Sequence, residues 1–163
     1  MQRNSIFMSQ NTEIERKFLV RSDDFKTHSV RAYEIQQGYL CKDMNKTIRV
    51  RIRDAQAFLT IKSGKLRPGL AKFEWEREIE LADAQELMAL CLPEPIIKTR
   101  YIVPAPPYNG AERCWEVDVF HSGKLQGTAL AEIELGDEHE PFERPEWLGE
   151  EVTGQARYYN ANM

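Results

Sequence analysis

Cysteine is scarce in this chain, and its three copies, Cys41, Cys91 and Cys114, are far apart. An odd number with no CxxC pair indicates neither a disulfide framework nor a zinc site. Sparse, unpaired thiols suit a reducing cytoplasm. Histidine is as thin: His28, His121 and His139 are scattered and read as ordinary surface residues. No Ser/His/Asp or Cys/His arrangement for nucleophilic catalysis is visible. Long apolar runs are missing too. Nothing reaches the roughly 18 apolar residues of a membrane span, and Ile6-Phe7-Met8 is too short for a signal peptide. Residues 1–11 therefore read as a disordered leader. Net positive charge is absent: 22 Lys+Arg against 26 Asp+Glu leave −4, which argues against a general nucleic-acid binder. With no repeat, low-complexity tract or linker, the rest of the chain, 12–163, predicts one domain.

What the chain has in quantity is strands. Eight segments read as extended: 12–20, 33–41, 46–54, 57–62, 72–81, 96–103, 114–121 and 128–135. Turns are expected at 42–45, 54–56, 64–70 and 122–124. The short link between the segments around Arg51 and Leu59 predicts an antiparallel hairpin. Helices are few. One starts near Ser22–Lys26 with Ser22 or Asp23 as cap, and a better one covers 82–91, with Asp83 near its start and Pro93 beyond its end. The tail, 141–163, reads as short helical pieces at most.

Side chains two apart on a strand share a face. Glu13, Glu15 and Lys17 therefore share one, as do Arg49, Arg51 and Arg53, with Ile48, Val50 and Ile52 opposite. Glu74 and Glu76 alternate with Phe73 and Trp75, Lys98 and Arg100 with Ile97 and Thr99. Glu116 and Asp118 alternate with Trp115 and Val117, Glu132 and Glu134 with Ala131 and Ile133. Ordinary half-buried sheets show such alternation, but here the polar face is almost entirely Arg, Lys, Glu and Asp. Two geometries accommodate it: an open sheet with charges in solvent, or a closed barrel with charges lining the lumen. A charged lumen is costly unless it is wet or binds charged ligands. Lys17, Arg49, Arg51, Lys62, Lys98 and Arg100 suit a polyanion, and the carboxylates suit hard divalent metals. Trp75 and Trp115, opposite the charges, read as packing.

In order along the chain, these motifs resemble the CYTH superfamily of triphosphate tunnel metalloenzymes. The signature is the ExExK of Glu13-Ile14-Glu15-Arg16-Lys17. It is followed by Gln37-Gly38-Tyr39-Leu40, Arg49-Val50-Arg51, Lys62, Glu74-Trp75-Glu76, Lys98-Thr99-Arg100-Tyr101, Glu116-Val117-Asp118 and Glu132-Ile133-Glu134. The stretch at 145–153 and Arg157-Tyr158-Tyr159-Asn160 resemble the family's tail. Lys72 departs from the family, where many members have Arg. The cyclase branch's His-Phe before ExExK is absent, with Ser9-Gln10-Asn11 in that neighbourhood.

The resemblance implies a mainly β (α+β) fold: a closed eight-stranded antiparallel β-barrel tunnel with a few peripheral helices. It implies a metal-dependent triphosphatase, most simply one acting on inorganic tripolyphosphate. A class IV-type adenylate cyclase, a thiamine or nucleoside triphosphatase, and a polyphosphate-binding module are the alternatives. Phosphate falls to Lys17, Arg49, Arg51, Lys62, Lys98 and Arg100. One or two Mg²⁺ or Mn²⁺ fall to Glu13, Glu15, Glu132 and Glu134. Catalytic roles fall to Glu13, Glu15, Lys17, Glu116 and Asp118. Glu116 and Asp118, like the supporting pair Glu74 and Glu76, are either further metal ligands or partners of the basic residues. The expected partner is inorganic triphosphate or a triphosphate-bearing small molecule, with no nucleic acid and no membrane. Apolar exterior surface would favour a homodimer.

Overall fold

The computed structural model describes residues 12–43, 45–65 and 72–159. The expected leader at 1–11, most of the expected 64–70 turn and the final residues from Asn160 lie outside it. Among the described residues there are ten strands: β1 Thr12–Glu13, β2 Glu15–Val20, β3 Arg31–Lys42, β4 Lys46–Arg53, β5 Gln56–Lys65, β6 Lys72–Ile79, β7 Ile96–Tyr108, β8 Ala111–Phe120, β9 Ala129–Glu134 and β10 Leu148–Glu151. Helices are α1 Phe25–His28, α2 Leu81–Ala89 and a 3₁₀ turn Ala156–Tyr158. The mainly β, antiparallel character is as expected, and no helix among the described residues is long and apolar enough to cross a membrane.

The expected closure into a barrel is not seen among the described residues, the strand order running from β1 to β10, and the expectation of eight strands needs correcting twice. The first expected strand is broken at Ile14 into β1, paired with β6, and β2, paired with β9. The tail, expected to hold helical pieces at most, supplies β10, which pairs with the far edge of β2. Leu-Gly-Glu-Glu carries no alternation, so only its tertiary partner makes it a strand. α1 also starts later than expected, with Asp24 at the cap position and no side-chain cap bond.

The chain forms two compact units, the first from Met1–Ile14 and Gln37–Pro95, the second from Glu15–Gln36 and Ile96–Met163. In the first, the strand order is β1-β6-β5-β4-β3. The β4–β5 hairpin is the expected one, turning at Asp54, whose φ is 52°. α2 covers one face of this sheet. Its Ala84, with Leu87 and Met88, packs on Val50, Ala57, Ile52, Leu59 and Leu40. In the second unit the order is β3-β7-β8-β9-β2-β10. Its core is a chain of edge-to-face rings, Phe142–Phe18–Trp115–Trp147–Phe25–Tyr101, with successive centroids 5.4–5.9 Å apart. Trp115 thus packs, as expected. Val117, Ala131 and Ile133 are fully buried. In both units the apolar residues of the strands turn to a core, and the alternate ones are left to form a charged face.

Candidate functional site

In the first unit, Val50 and Ile52 pack on the α2 side, so Arg49 and Arg51 point to the opposite face. Register sets Thr60 opposite both Arg49 and Glu76, and Lys62 opposite Glu74. Glu76 organises the cluster. Thr60 Oγ1 donates to its Oε2 at 2.7 Å, Arg51 Nη2 lies 3.3 Å from both of its oxygens, and Arg49 Nη2 lies 3.7 Å away. Burial works to raise the Glu76 pKa, but the Thr60 hydroxyl and the charges of Arg51, Arg49 and Lys62 outweigh it and lower it. Lys62 Nζ is 4.0 Å from Glu74. Both arginines are buried, and Arg49 keeps a buried Nε–H with no hydrogen-bond partner. A buried donor left open costs about 1–3 kcal/mol unless a ligand meets it.

In the second unit, register aligns Glu15 with Glu134, Lys17 with Glu132, Glu116 with Glu132, and Arg100 with Asp118. Lys98 is completely buried and donates to Asp118 Oδ2 at 2.6 Å. Arg100 forks onto both oxygens of the same carboxylate, at 2.7 and 2.9 Å, and reaches Glu116 at 2.5 Å. Burial opposes ionisation of Asp118, but the charges of Arg100 and Lys98 and their hydrogen bonds hold its pKa well below the carboxylate range. Burial, reinforced by Arg100 and opposed by Asp118, pushes Lys98 down to about 8. Lys98 is thus still charged at neutral pH.

Lys17, 2% exposed, is held from three directions. Glu132 lies at 2.9 Å, the Tyr158 carbonyl accepts at 3.0 Å, and the Tyr159 ring sits with its centroid 4.0 Å away. Burial alone would lower its pKa, yet Glu132 first, then Glu15 and Tyr159, raise it. Glu132 is correspondingly held at about 2 against burial, chiefly by Lys17.

The structure thus brings Arg49, Arg51 and Glu76 together in one unit, with Lys62 and Glu74 beside them. In the other it brings together Lys17, Lys98, Arg100, Glu116, Asp118 and Glu132. Asp118, Glu116 and Glu76 each contact basic side chains. The side chain of Glu13 lies outside the described residues. Sequence reasoning missed Thr60, Tyr158, Tyr159 and Gln37. Gln37 stood in a recognised motif on a strand, but an uncharged amide gives no signal in a charge pattern.

Hard divalent cations take anionic oxygen donors. Register sets the Glu15 and Glu134 positions directly opposite, which gathers two carboxylates on one face. Donor type and register are of the kind that suits a hard divalent cation. Among the described residues no three acidic, His or Cys side chains converge as a ready-made cage, and Glu132 grips Lys17 instead.

Comparisons with known proteins point one way. The model of the CYTH domain matches residues 11–162. An inorganic triphosphatase of Acetivibrio thermocellus is 38% identical over 152 residues, covering 93% of this chain and 92% of its own. An inorganic triphosphatase of Nitrosomonas europaea is 36% identical over 152 residues, covering 91% and 94%. A crystal structure described as that of an inorganic triphosphatase superposes with a TM-score of 0.61 at 32% identity, covering 93% of each chain.

Proposed function

The chain belongs to the CYTH domain family, and from that premise we propose that it hydrolyses inorganic triphosphate to pyrophosphate and phosphate. The observation that carries the proposal is the set of buried cations held in place by carboxylates on strand faces, with the Arg49 Nε–H still open. Such cations cost stability unless an anion uses them, and guanidinium forks match phosphate oxygens. Lys17, Arg49, Arg51, Lys62, Lys98 and Arg100 bind the phosphate chain. Asp118, Glu116 and Glu76 fix the cations, with Glu74 in support, so that little reorganisation accompanies binding. Phosphoryl transfer of this kind rests on positioning and charge stabilisation and requires no covalent nucleophile. Glu13, Glu15, Glu132 and Glu134 would hold one or two Mg²⁺ or Mn²⁺, which supply Lewis-acid polarisation of phosphoryl oxygens when bound. Lys17 shares its strand face with Glu15 and lies opposite Glu132, and would meet substrate from there.

The closed barrel belongs to the same proposal. The charged face that strand alternation produces within each unit supports it. A cytoplasmic setting, the absence of nucleic-acid or membrane partners and a homodimer complete the proposal.

Phosphate release from tripolyphosphate, ATP, thiamine triphosphate and pyrophosphate, each with Mg²⁺ or Mn²⁺, tests the function. The expected result is the highest kcat/KM for tripolyphosphate and little action on pyrophosphate. Preferential turnover of a nucleotide or thiamine triphosphate, or cyclic AMP as the product from ATP, would overturn it.

A further inference from the structure

Gln37 is the anomaly of the first unit. It is fully buried, and neither its amide nitrogen nor its amide oxygen has a hydrogen-bond partner. Buried amides are seldom left in this state, because each orphaned group loses its hydration for nothing. An apolar side chain of the same length would cost less. The face it occupies follows from its neighbours on β3. A Cβ on Gly38 would fall 2.8 Å from Cys91 Cβ and Sγ, so Gly38 faces the end of α2. Leu40 packs into the α2 core with Val50 and Ile52. Gln37 is odd-numbered on the same strand and points to the other face. β4 is the neighbouring strand, and its Arg49 and Arg51 point to that same other face. The amide therefore shares a face with the arginines assigned to phosphate, where Arg49 also keeps a buried, open Nε–H.

An amide with both ends open offers N–H donors at one end and a carbonyl acceptor at the other. A phosphate oxygen can take the donor but, as an anion, cannot satisfy the acceptor. A water molecule can. We propose that Gln37 positions the hydrolytic water: Nε2–H donates to an oxygen of the terminal phosphoryl group while Oε1 accepts a hydrogen bond from the attacking water. The water oxygen bonds to the terminal phosphorus and the bridging P–O bond breaks. Tripolyphosphate pentaanion and water thus give hydrogenphosphate and hydrogenpyrophosphate, one proton of the water ending on each product. A neutral amide aligns the water without adding charge among the phosphates, and general-base strength is not asked of it. This inference rests on the triphosphatase reading and assigns to that site the one component its cations and carboxylates do not supply.

The test uses the full chain with Gln37→Met, which keeps length and removes both hydrogen bonds, and Gln37→Glu. Steady-state tripolyphosphate hydrolysis gives kcat and KM, and titration with a non-hydrolysable imido analogue of triphosphate gives Kd. Gln37→Met should lower kcat by ~10²-fold while KM and analogue Kd stay within about threefold, as for loss of one well-placed catalytic contact. Gln37→Glu should be impaired at neutral pH and recover relative to wild type as pH falls, because a protonated carboxyl again offers a donor and an acceptor. That pH-dependent recovery keeps the test decisive if Gln37→Met fails to fold. Wild-type kcat in folded Gln37→Met would overturn the proposal, as would a rise in KM and analogue Kd at unchanged kcat. So would a Gln37→Glu profile parallel to wild type. A wild-type chain that releases no phosphate would instead overturn the triphosphatase reading on which this one rests.

Discussion

At the scale of single residues, charge is organised by sharing. One carboxylate serves two cations in each cluster: Asp118 for Lys98 and Arg100, Glu76 for Arg49 and Arg51. Removing a phosphate-facing cation and removing a metal-facing anion should therefore differ. Arg51→Ala should weaken triphosphate binding by about 1.5–3 kcal/mol with little change in metal demand. Glu15→Gln should cut activity by orders of magnitude and raise the metal concentration needed for the remainder. Rates measured over a grid of Mg²⁺ and tripolyphosphate concentrations separate the two, and identical shifts in both variants would contradict the assignment. Lys98 gives a pH prediction with two opposite slopes. Its pKa is about 8 when folded, against 10.5 for an ordinary lysine. Between those values the unfolded chain holds more proton, so the group's contribution to stability rises with pH across that window and is least favourable below about 8. Its affinity for a polyanion runs the other way and falls above about 8. Urea midpoints at pH 7.5 and pH 10 should differ less in Lys98→Met than in wild type, and tripolyphosphate KM should climb above pH 8 only in wild type.

At the scale of elements, the charged faces were legible in the sequence because strand alternation is a strict period of two. The partners on those faces were legible only as a pool. Which anion meets which cation is a matter of register, and nothing in the segments at 46–54 or 72–81 says that Thr60 falls between Arg49 and Glu76. β10 was illegible because four residues with a glycine carry no pattern. The shift of α1 to an Asp24 start has the same origin, since several adjacent Ser and Asp residues offer equivalent caps. Gly38 has no Cβ to meet Cys91 and Met88, which lets the end of α2 lie against β3. There Leu92 N donates to the Tyr39 carbonyl at 2.8 Å. Gly38→Ala should lower stability by about 1–3 kcal/mol by urea unfolding, the usual cost of overpacking. Cys91→Ala in the same chain should recover part of the loss, because it removes the Sγ but leaves the Cβ. A midpoint unchanged by Gly38→Ala would mean that α2 yields freely.

At the scale of the whole molecule, the second unit joins distant parts of the chain. Besides Glu132, Lys17 is held by Tyr158 and Tyr159, and its backbone bonds to Val152 and Thr153. A chain ending at Gln155 should exchange the amides of β2 faster than the intact chain in hydrogen-exchange mass spectrometry, because Lys17 loses two of its three holds. Equal protection in both chains would show that Glu132 suffices.

The sequence separation of 141 between Lys17 and Tyr158 also sets an order of events during translation. β2 leaves the ribosome first among its neighbours. Its partners β9 and β10 and the carbonyl that holds its lysine are made last. Until then Phe18 has no Trp115, Lys17 has no Glu132, and both edges of β2 are bare. At a few to tens of residues per second, that interval lasts seconds. The nascent chain must therefore carry an unpaired strand with a stranded ammonium through most of its synthesis. The ammonium guards that strand: a lone charge on a bare edge discourages pairing with a neighbouring polypeptide. The lysine that ends buried against Glu132 is thus an exposed charge on a bare strand while the protein is being made.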